Sequence, residues 1–179
     1  MRIISGKLKG LIIEGFTIDG TRPTMDRVKE SLFAMLGQAI EESICLDLFA
    51  GSGNLGIEAL SNGASEVYFV DYNKIATQTI HKNLDKAKIN HPEWIFQMDY
   101  LEALHYFQKK GKKFDIIFLD PPYQSGYLNS CIKKIEELNI LNENGILVLE
   151  YENYEVNYQN FQSYKKRNYG SKTVEFLRK

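Results

Sequence analysis

The spacing of apolar residues changes character along the chain at Ile44. Upstream, the first fifteen residues alternate loosely and break at Gly6, Gly10 and Gly15. That predicts a short hairpin of Arg2–Ser5 with Leu8–Glu14. Thr24 is a good helix N-cap, and Val28, Leu32, Met35, Leu36 and Ala39 follow at helical spacing. A helix is therefore expected over 25–39, with Arg27 and Lys29 off its apolar stripe. Downstream, short apolar runs alternate with amphipathic ones. Strands are predicted at Ile44–Phe49, Val67–Val70, Trp94–Met98, Phe114–Leu119 and Ile146–Glu150. Helices are predicted at Asn54–Asn62, 74–89, about 101–108 and about 127–138. The tail, about 160–167 and 172–178, predicts two strands joined near Tyr169-Gly170-Ser171.

Apolar strands alternating with helices imply an α/β fold, a mostly parallel sheet covered on both faces. Such sheets bind ligands outside the carboxyl ends of their strands, near the switch point. Asp71, Asp99 and Asp120 each end a predicted strand, and Gly51-Ser52-Gly53 follows another. These residues are expected to converge on one cleft.

Gly51-Ser52-Gly53-Asn54-Leu55-Gly56 fits the glycine pattern of a dinucleotide turn, and Asp71 lies twenty residues after Gly51. Taken alone, that is a nicotinamide-cofactor signature. Asp47 argues otherwise. A carboxylate in the strand before the loop would repel a pyrophosphate seated on the turn. The sulfonium and ammonium of S-adenosylmethionine would be attracted by it. Asp71 suits ribose hydroxyls in either reading, so it does not discriminate.

Asp120-Pro121-Pro122-Tyr123 follows the strand at Phe114–Leu119. Two prolines fix φ and remove two N–H donors, and the residue before each proline is kept out of the helical region. The result is a stiff extended loop whose Pro121 carbonyl is available to a ligand. Asp120 adds a carboxylate and Tyr123 an aromatic face. The set suits an exocyclic amine on a flat ring. Two acceptors holding its N–H bonds aim the nitrogen lone pair and stabilise the charge that develops there. Tyr123 is placed to stack on the ring.

These residues resemble a known family. Asp-Pro-Pro-Tyr downstream of Leu46-Asp47-Leu48-Phe49-Ala50-Gly51-Ser52-Gly53 is similar to the S-adenosylmethionine-dependent amino-methyltransferases. Arg2-Ile3-Ile4-Ser5-Gly6, Thr21-Arg22-Pro23-Thr24-Met25-Asp26-Arg27-Val28-Lys29-Glu30 and Tyr169-Gly170-Ser171-Lys172-Thr173-Val174 narrow the likeness. They resemble the bacterial 16S rRNA guanine-N2 methyltransferase (RsmD-like) family. Met25 departs from it, standing where that family often has Thr or Ser.

The resemblance implies a Rossmann-like class I methyltransferase. Its sheet would have seven strands with the last antiparallel, helices on both faces and an N-terminal hairpin extension (1–24 before a core of 25–179, one domain). It implies S-adenosyl-L-methionine as cofactor. The substrate implied is one guanine N2 of 16S rRNA, guanine 966 in conventional rRNA numbering, within a small-subunit particle whose ribosomal proteins belong to the substrate. By motif position Asp71 holds the ribose and Asp99 the adenine amine, with Asp47, Phe49, Ala50, Gly51, Gly53, Tyr72 and Tyr100 also lining the cofactor site. Asp120, Pro121 and Tyr123 hold the target base, and Arg22 and Arg27 are candidate rRNA contacts.

Charge sharpens this picture. The formal sum is −1, but residues 1–29 carry +3, residues 165–179 carry +5 and the middle carries −9. Lys7, Lys9, Arg22, Arg27 and Lys29 at one end, and Lys165, Lys166, Arg167 and Lys172 at the other, are candidate phosphate contacts. For an ordinary charge run, a solvated surface is the commoner explanation. The stretch Tyr151, Tyr154, Tyr158, Phe161 and Tyr164 is expected to be half-buried strand aromatics rather than stacking platforms. Cys45 and Cys131 lack metal-ligand spacing and fit buried thiols of a reducing cytosol, and no metal site is expected. With no apolar run near membrane length and no leader-like start, a cytoplasmic monomer is expected. Three other readings stay open: a DNA amino-methyltransferase, a non-catalytic rRNA-binding assembly factor, and, more distantly, a nicotinamide oxidoreductase.

Overall fold

The computed structural model describes residues 1–15, 26–122, 126–152 and 155–179. Its centre is a seven-stranded sheet. The strands are β1 (Ile44–Asp47), β2 (Glu66–Asp71), β3 (Ile95–Gln97), β4 (Phe114–Leu119), β5 (Leu141–Glu152), β6 (Gln162–Tyr169) and β7 (Lys172–Arg178). Their order is β3-β2-β1-β4-β5-β7-β6. β1 to β5 pair in parallel, and β7 runs antiparallel between β5 and β6. The helices are α1 (Asp26–Leu36), α2 (Asn54–Ser61), α3 (Lys74–Lys86), α4 (Tyr100–Lys109) and α5 (Tyr127–Leu138). The chain leaves β1 toward β2 on one side and returns to β4 on the other. The switch point therefore lies between the carboxyl ends of β1 and β4.

Alternation along the strands divides the core in two. Cys45, Ile116, Phe118, Val148, Val174 and Phe176 face α1, α2 and α3. Leu46, Ile117, Leu119, Leu147, Leu149 and Leu177 face α4 and α5. Both faces are covered, which is why β1 and β4 are near-continuous apolar runs. Cys45 and Cys131 are both buried free thiols.

The predicted first helix stops early. α1 ends at Leu36, and Gly37–Ile40 form a tighter 3-10 turn, with Gly37 at φ +53°. The helix expected over 74–89 ends at Lys86. β5 is longer than predicted because its first residues pair with Phe114 before a register shift. The expected hairpin is short: an antiparallel bridge joins Arg2 with Ile12, and Ile3 N donates to the Leu11 carbonyl at 2.9 Å, Gly10 N to the Ile3 carbonyl at 2.8 Å and Ile13 N to the Met1 carbonyl at 3.0 Å. Thr24, proposed as the first cap, lies outside the described residues.

Lys29 overturns its expected placement. It is fully buried, with Nζ 2.9 Å from Glu58 Oε2. The same ammonium donates to the Arg2 carbonyl and to Asn54 Oδ1, both at 2.7 Å. Glu58 in turn accepts the Ser5 amide at 2.8 Å, the Ser5 hydroxyl at 2.7 Å and the Ile4 amide at 3.0 Å. Lys29 lies on the buried face of α1 with Leu32, Phe33 and Leu36, where its partner is the carboxylate that holds the N-terminal arm. A buried charge that loses its partner is strongly destabilising. Lys29→Met should therefore cost about 3–5 kcal/mol, read as a drop in the urea midpoint. A loss below about 1 kcal/mol would show that this pair is not what holds the arm against α1 and α2.

Candidate active site

Four carboxylates end or follow adjacent strands at one edge of the sheet. Asp47 closes β1, Asp71 closes β2, Asp99 follows β3 and Asp120 follows β4. The glycine loop joins β1 to α2 among them. Its backbone is tied to β2 by Ala50 N donating to the Val70 carbonyl at 2.9 Å and Gly51 N donating to Asp71 Oδ2 at 2.9 Å. Gly53 sits at φ +79°, where side chains are strained, and forms the N-cap of α2. Gly56 is needed for a different reason. A Cβ there would lie 2.2 Å from the Phe69 ring, so only glycine lets α2 lie this close to β2.

Asp47 is buried and accepts the Gly56 amide at 3.0 Å, acting as a cap for α2 from the neighbouring strand. Burial pushes its carboxyl up to about 7, assisted by the nearby Asp71 charge and opposed by the Gly56 hydrogen bond. Asp71 is half-buried and accepts from Gly51 N and from Asn73 N, the latter at 2.8 Å. Burial raises its carboxyl above the usual range as well. Asp99 is exposed, caps α4 and accepts Leu101 N at 2.8 Å. Tyr72 is exposed beside Asp71. Asp120 is half-buried and Pro121 buried, while Tyr123 lies outside the described residues.

An aromatic wall completes this edge. The Phe49 ring lies 5.5 Å from Tyr100 and 6.2 Å from Tyr127, and Tyr100 lies 5.6 Å from Tyr127. Tyr100 also shares a 3.2 Å hydrogen bond with Ser130. Sequence reasoning found Phe49 and Tyr100 but missed Tyr127 at the start of α5. The available signal was the helix opening after Gly126, four residues past the proline pair.

The predicted phosphate contacts separate. Lys7 and Lys9 are exposed on the arm, and Arg27 is exposed on α1. Arg167 is exposed on β6, whereas the Lys166 ammonium lies 3.4 Å from the buried Glu175. Lys172 is buried and ion-paired with Glu150. Lys29 and Lys172 are thus structural. Arg22 falls outside the described residues. Tyr151 and Tyr158 both donate to Glu175, which makes them network residues of the β-edge. Among the described residues no His, Cys and carboxylate group is placed to hold a metal, and no helix is long and apolar enough to cross a membrane.

The Asp47 carboxyl has a testable consequence. Its folded value, about 7, lies above its ordinary 3.8, so folding favours the neutral form. That stabilisation is complete below about pH 4 and disappears as pH rises through about 7. The protein should lose up to about 1.4 kcal/mol per pH unit across this range. Asp47→Asn should flatten the slope. Urea midpoints measured from pH 5 to 8 read both, and parallel slopes would mean that Asp47 is already ionised.

Comparison with known proteins gives this architecture a context. The family model described as Conserved hypothetical protein 95 matches residues 1–178. YlbH of Bacillus subtilis (strain 168) is 42% identical over 152 residues, 85% of this chain and 83% of its own length. The ribosomal RNA small subunit methyltransferase D of Buchnera aphidicola (subsp. Acyrthosiphon pisum, strain APS) is 37% identical over 92% of this chain and 86% of its own. The solved structure of yhhF from Escherichia coli superposes with TM-score 0.84 at 27% identity, covering 99% of this chain and 96% of that one. The shared architecture is the class I methyltransferase fold, with the last strand antiparallel. By the family match and these identities, the chain belongs to the Conserved hypothetical protein 95 family, the one its motifs resemble.

Proposed function

We propose that this protein transfers a methyl group from S-adenosyl-L-methionine to the exocyclic N2 of one guanine in 16S rRNA of the small ribosomal subunit. One observation carries the reading. A buried acidic glycine-loop site and an Asp-Pro-Pro loop stand at neighbouring strand ends on the two sides of the switch point. A relative that is 37% identical is named a small-subunit rRNA methyltransferase, which supports rRNA as the substrate class.

The residues present fit a cationic cofactor. Asp47 and Asp71 crowd two carboxylates into a poorly solvated loop, and burial raises both. A positive ligand relieves that cost and favours their ionised forms. Asp71 and Asp99 serve as acceptors for ribose hydroxyls and the adenine amine, and Phe49, Tyr72 and Tyr100 supply ring surface. When bound, S-adenosylmethionine supplies an activated methyl group. The chain's own residues then position the acceptor. Asp120 and the Pro121 carbonyl accept the two N–H bonds of the guanine amine, turning its lone pair outward. The cofactor held there would supply the methyl carbon to this nitrogen and leave as the neutral thioether, and the amine would give up one proton to solvent. Asp120 stabilises the positive charge that develops on nitrogen. Tyr123 stacks on the base. The base must be unpaired or flipped to reach this edge. Lys7, Lys9 and Arg22 lie on the arm and on the segment that follows it, as contacts for the surrounding RNA. The site lies in one methyltransferase domain working as a cytoplasmic monomer on an assembled particle.

The test uses labelled S-adenosylmethionine and small subunits from a strain lacking the modification, followed by nucleoside mass spectrometry. N2-methylguanosine is the expected product. Its absence, or methyl transfer to duplex DNA instead, would sink the reading. Asp120→Ala should lower turnover by about 100-fold or more while cofactor affinity stays within about twofold. Retained turnover would remove Asp120 from the mechanism.

A further inference from the structure

An open groove of about 610 Å³ runs between α1 and the edge strand β6, and the chemistry above does not use it. Arg27 and Ser31 stand on its α1 wall, Arg167 and Tyr169 on its β6 wall, and Glu30 adds one carboxylate. Strand alternation sorts the cations of β6. Lys165, Arg167 and Tyr169 share the face toward α1. Lys165 Nζ donates to the Met35 carbonyl at 2.6 Å, and the Tyr169 hydroxyl donates to Ser31. Lys166 also lines the groove, but its ammonium turns to the other face, toward Glu175 and 5.7 Å from the Tyr151 ring centre. Two of the three basic residues in Lys165-Lys166-Arg167 thus have structural tasks. Arg167 and Arg27 have no carboxylate within ion-pair range among the described residues. Cations on an edge strand commonly guard against unwanted strand pairing. That account covers β6 alone and leaves Arg27, from an element far away in sequence, unexplained.

Sheet register connects this groove with the active edge. Arg167 pairs with Val174, and Val174 pairs with Glu150. Continuing the β4–β5 pairing one residue past Leu119 and Leu149 brings Glu150 level with Asp120. Arg167, Val174 and Glu150 therefore occupy one row on one face of the sheet, and Asp120 follows the next strand, so Arg167 and Asp120 are separated by three strand spacings, roughly 14 Å. Between them Val174 and Glu150 are buried, and Glu150 is paired with Lys172, so neither presents a charge to a ligand passing over this part of the protein.

We propose that this groove grips backbone phosphates of the RNA strand flanking the target guanine, with Arg27 and Arg167 as the two gripping residues. The proposal rests on the rRNA reading above. Guanidinium groups match phosphate with paired N–H bonds, which suits arginine on both walls. Lys166 is not part of the grip.

Methylation of small subunits is measured across a salt series for the wild type, Arg27→Ala, Arg167→Ala and their double variant. The control is Lys109→Ala with Lys113→Ala, two exposed lysines at the opposite, amino-terminal edge of the sheet. Each arginine removed should reduce the slope of log kcat/KM against log salt by about one. The double variant should raise KM for subunits about tenfold or more, with S-adenosylmethionine affinity within about twofold of wild type. The control should keep the wild-type slope and KM. An unchanged slope in the double variant overturns the groove, as does an equal drop in the control. A raised KM with an unchanged slope also overturns it, because the contact is then with ribosomal protein rather than phosphate. Failure of the wild type to methylate subunits is a separate result that removes the rRNA reading itself.

Discussion

One ammonium group without access to water joins three parts of this protein. Lys29 on α1 meets Glu58 on α2, the carbonyl of Arg2 in the arm, and Asn54 at the first position after the glycine loop. Two charges buried this deeply gain little net stability over a well-packed apolar pair. Their effect is specificity. Each remaining donor or acceptor must be satisfied, and only one arrangement of arm, α1 and α2 satisfies them all. Asn83 makes the matching connection from α3, donating to the carbonyls of Glu14 and Ser52 at 3.0 and 2.9 Å. The glycine loop is thus held from behind on both sides of Gly53. Its front is left to the carboxylates of the strand ends.

That arrangement lets a chain of net charge −1 present an acidic edge and a basic groove on one domain. The acidic residues that matter gather at the carboxyl edge, where Asp47 and Asp71 are raised by burial and suited to a cation. Many basic residues are consumed internally. Lys29, Lys166 and Lys172 each neutralise a buried carboxylate. The cations left for an anionic partner are fewer than the sequence suggests, and Arg27 and Arg167 stand out because they meet in one groove.

Much of the fold was legible in the sequence. Strand Phe114–Leu119 has the predicted bounds and α2 lies within a residue of them, because their apolar runs end abruptly at Asp120, Gly53 and Gly63. The carboxyl-edge convergence of Asp47, Asp71, Asp99 and Asp120 follows from parallel strands alone. Lys29 was misread because its position on the helix is polar by type, and no local signal reveals a partner 29 residues away. Tyr127 was missed because its role depends on α5 beginning beside Phe49 and Tyr100.

The sequence by itself determined where most strands and helices lie and which carboxylates stand at strand ends, while the seven-strand arrangement was implied by the family resemblance. Those placements depend on periodicity, turn residues and the end of each strand, all of which are local. Only the tertiary structure decided which charges are spent inside and which remain for a ligand. Ion pairing and desolvation are set by what lies opposite a side chain in space, and a linear pattern of charges does not contain that information.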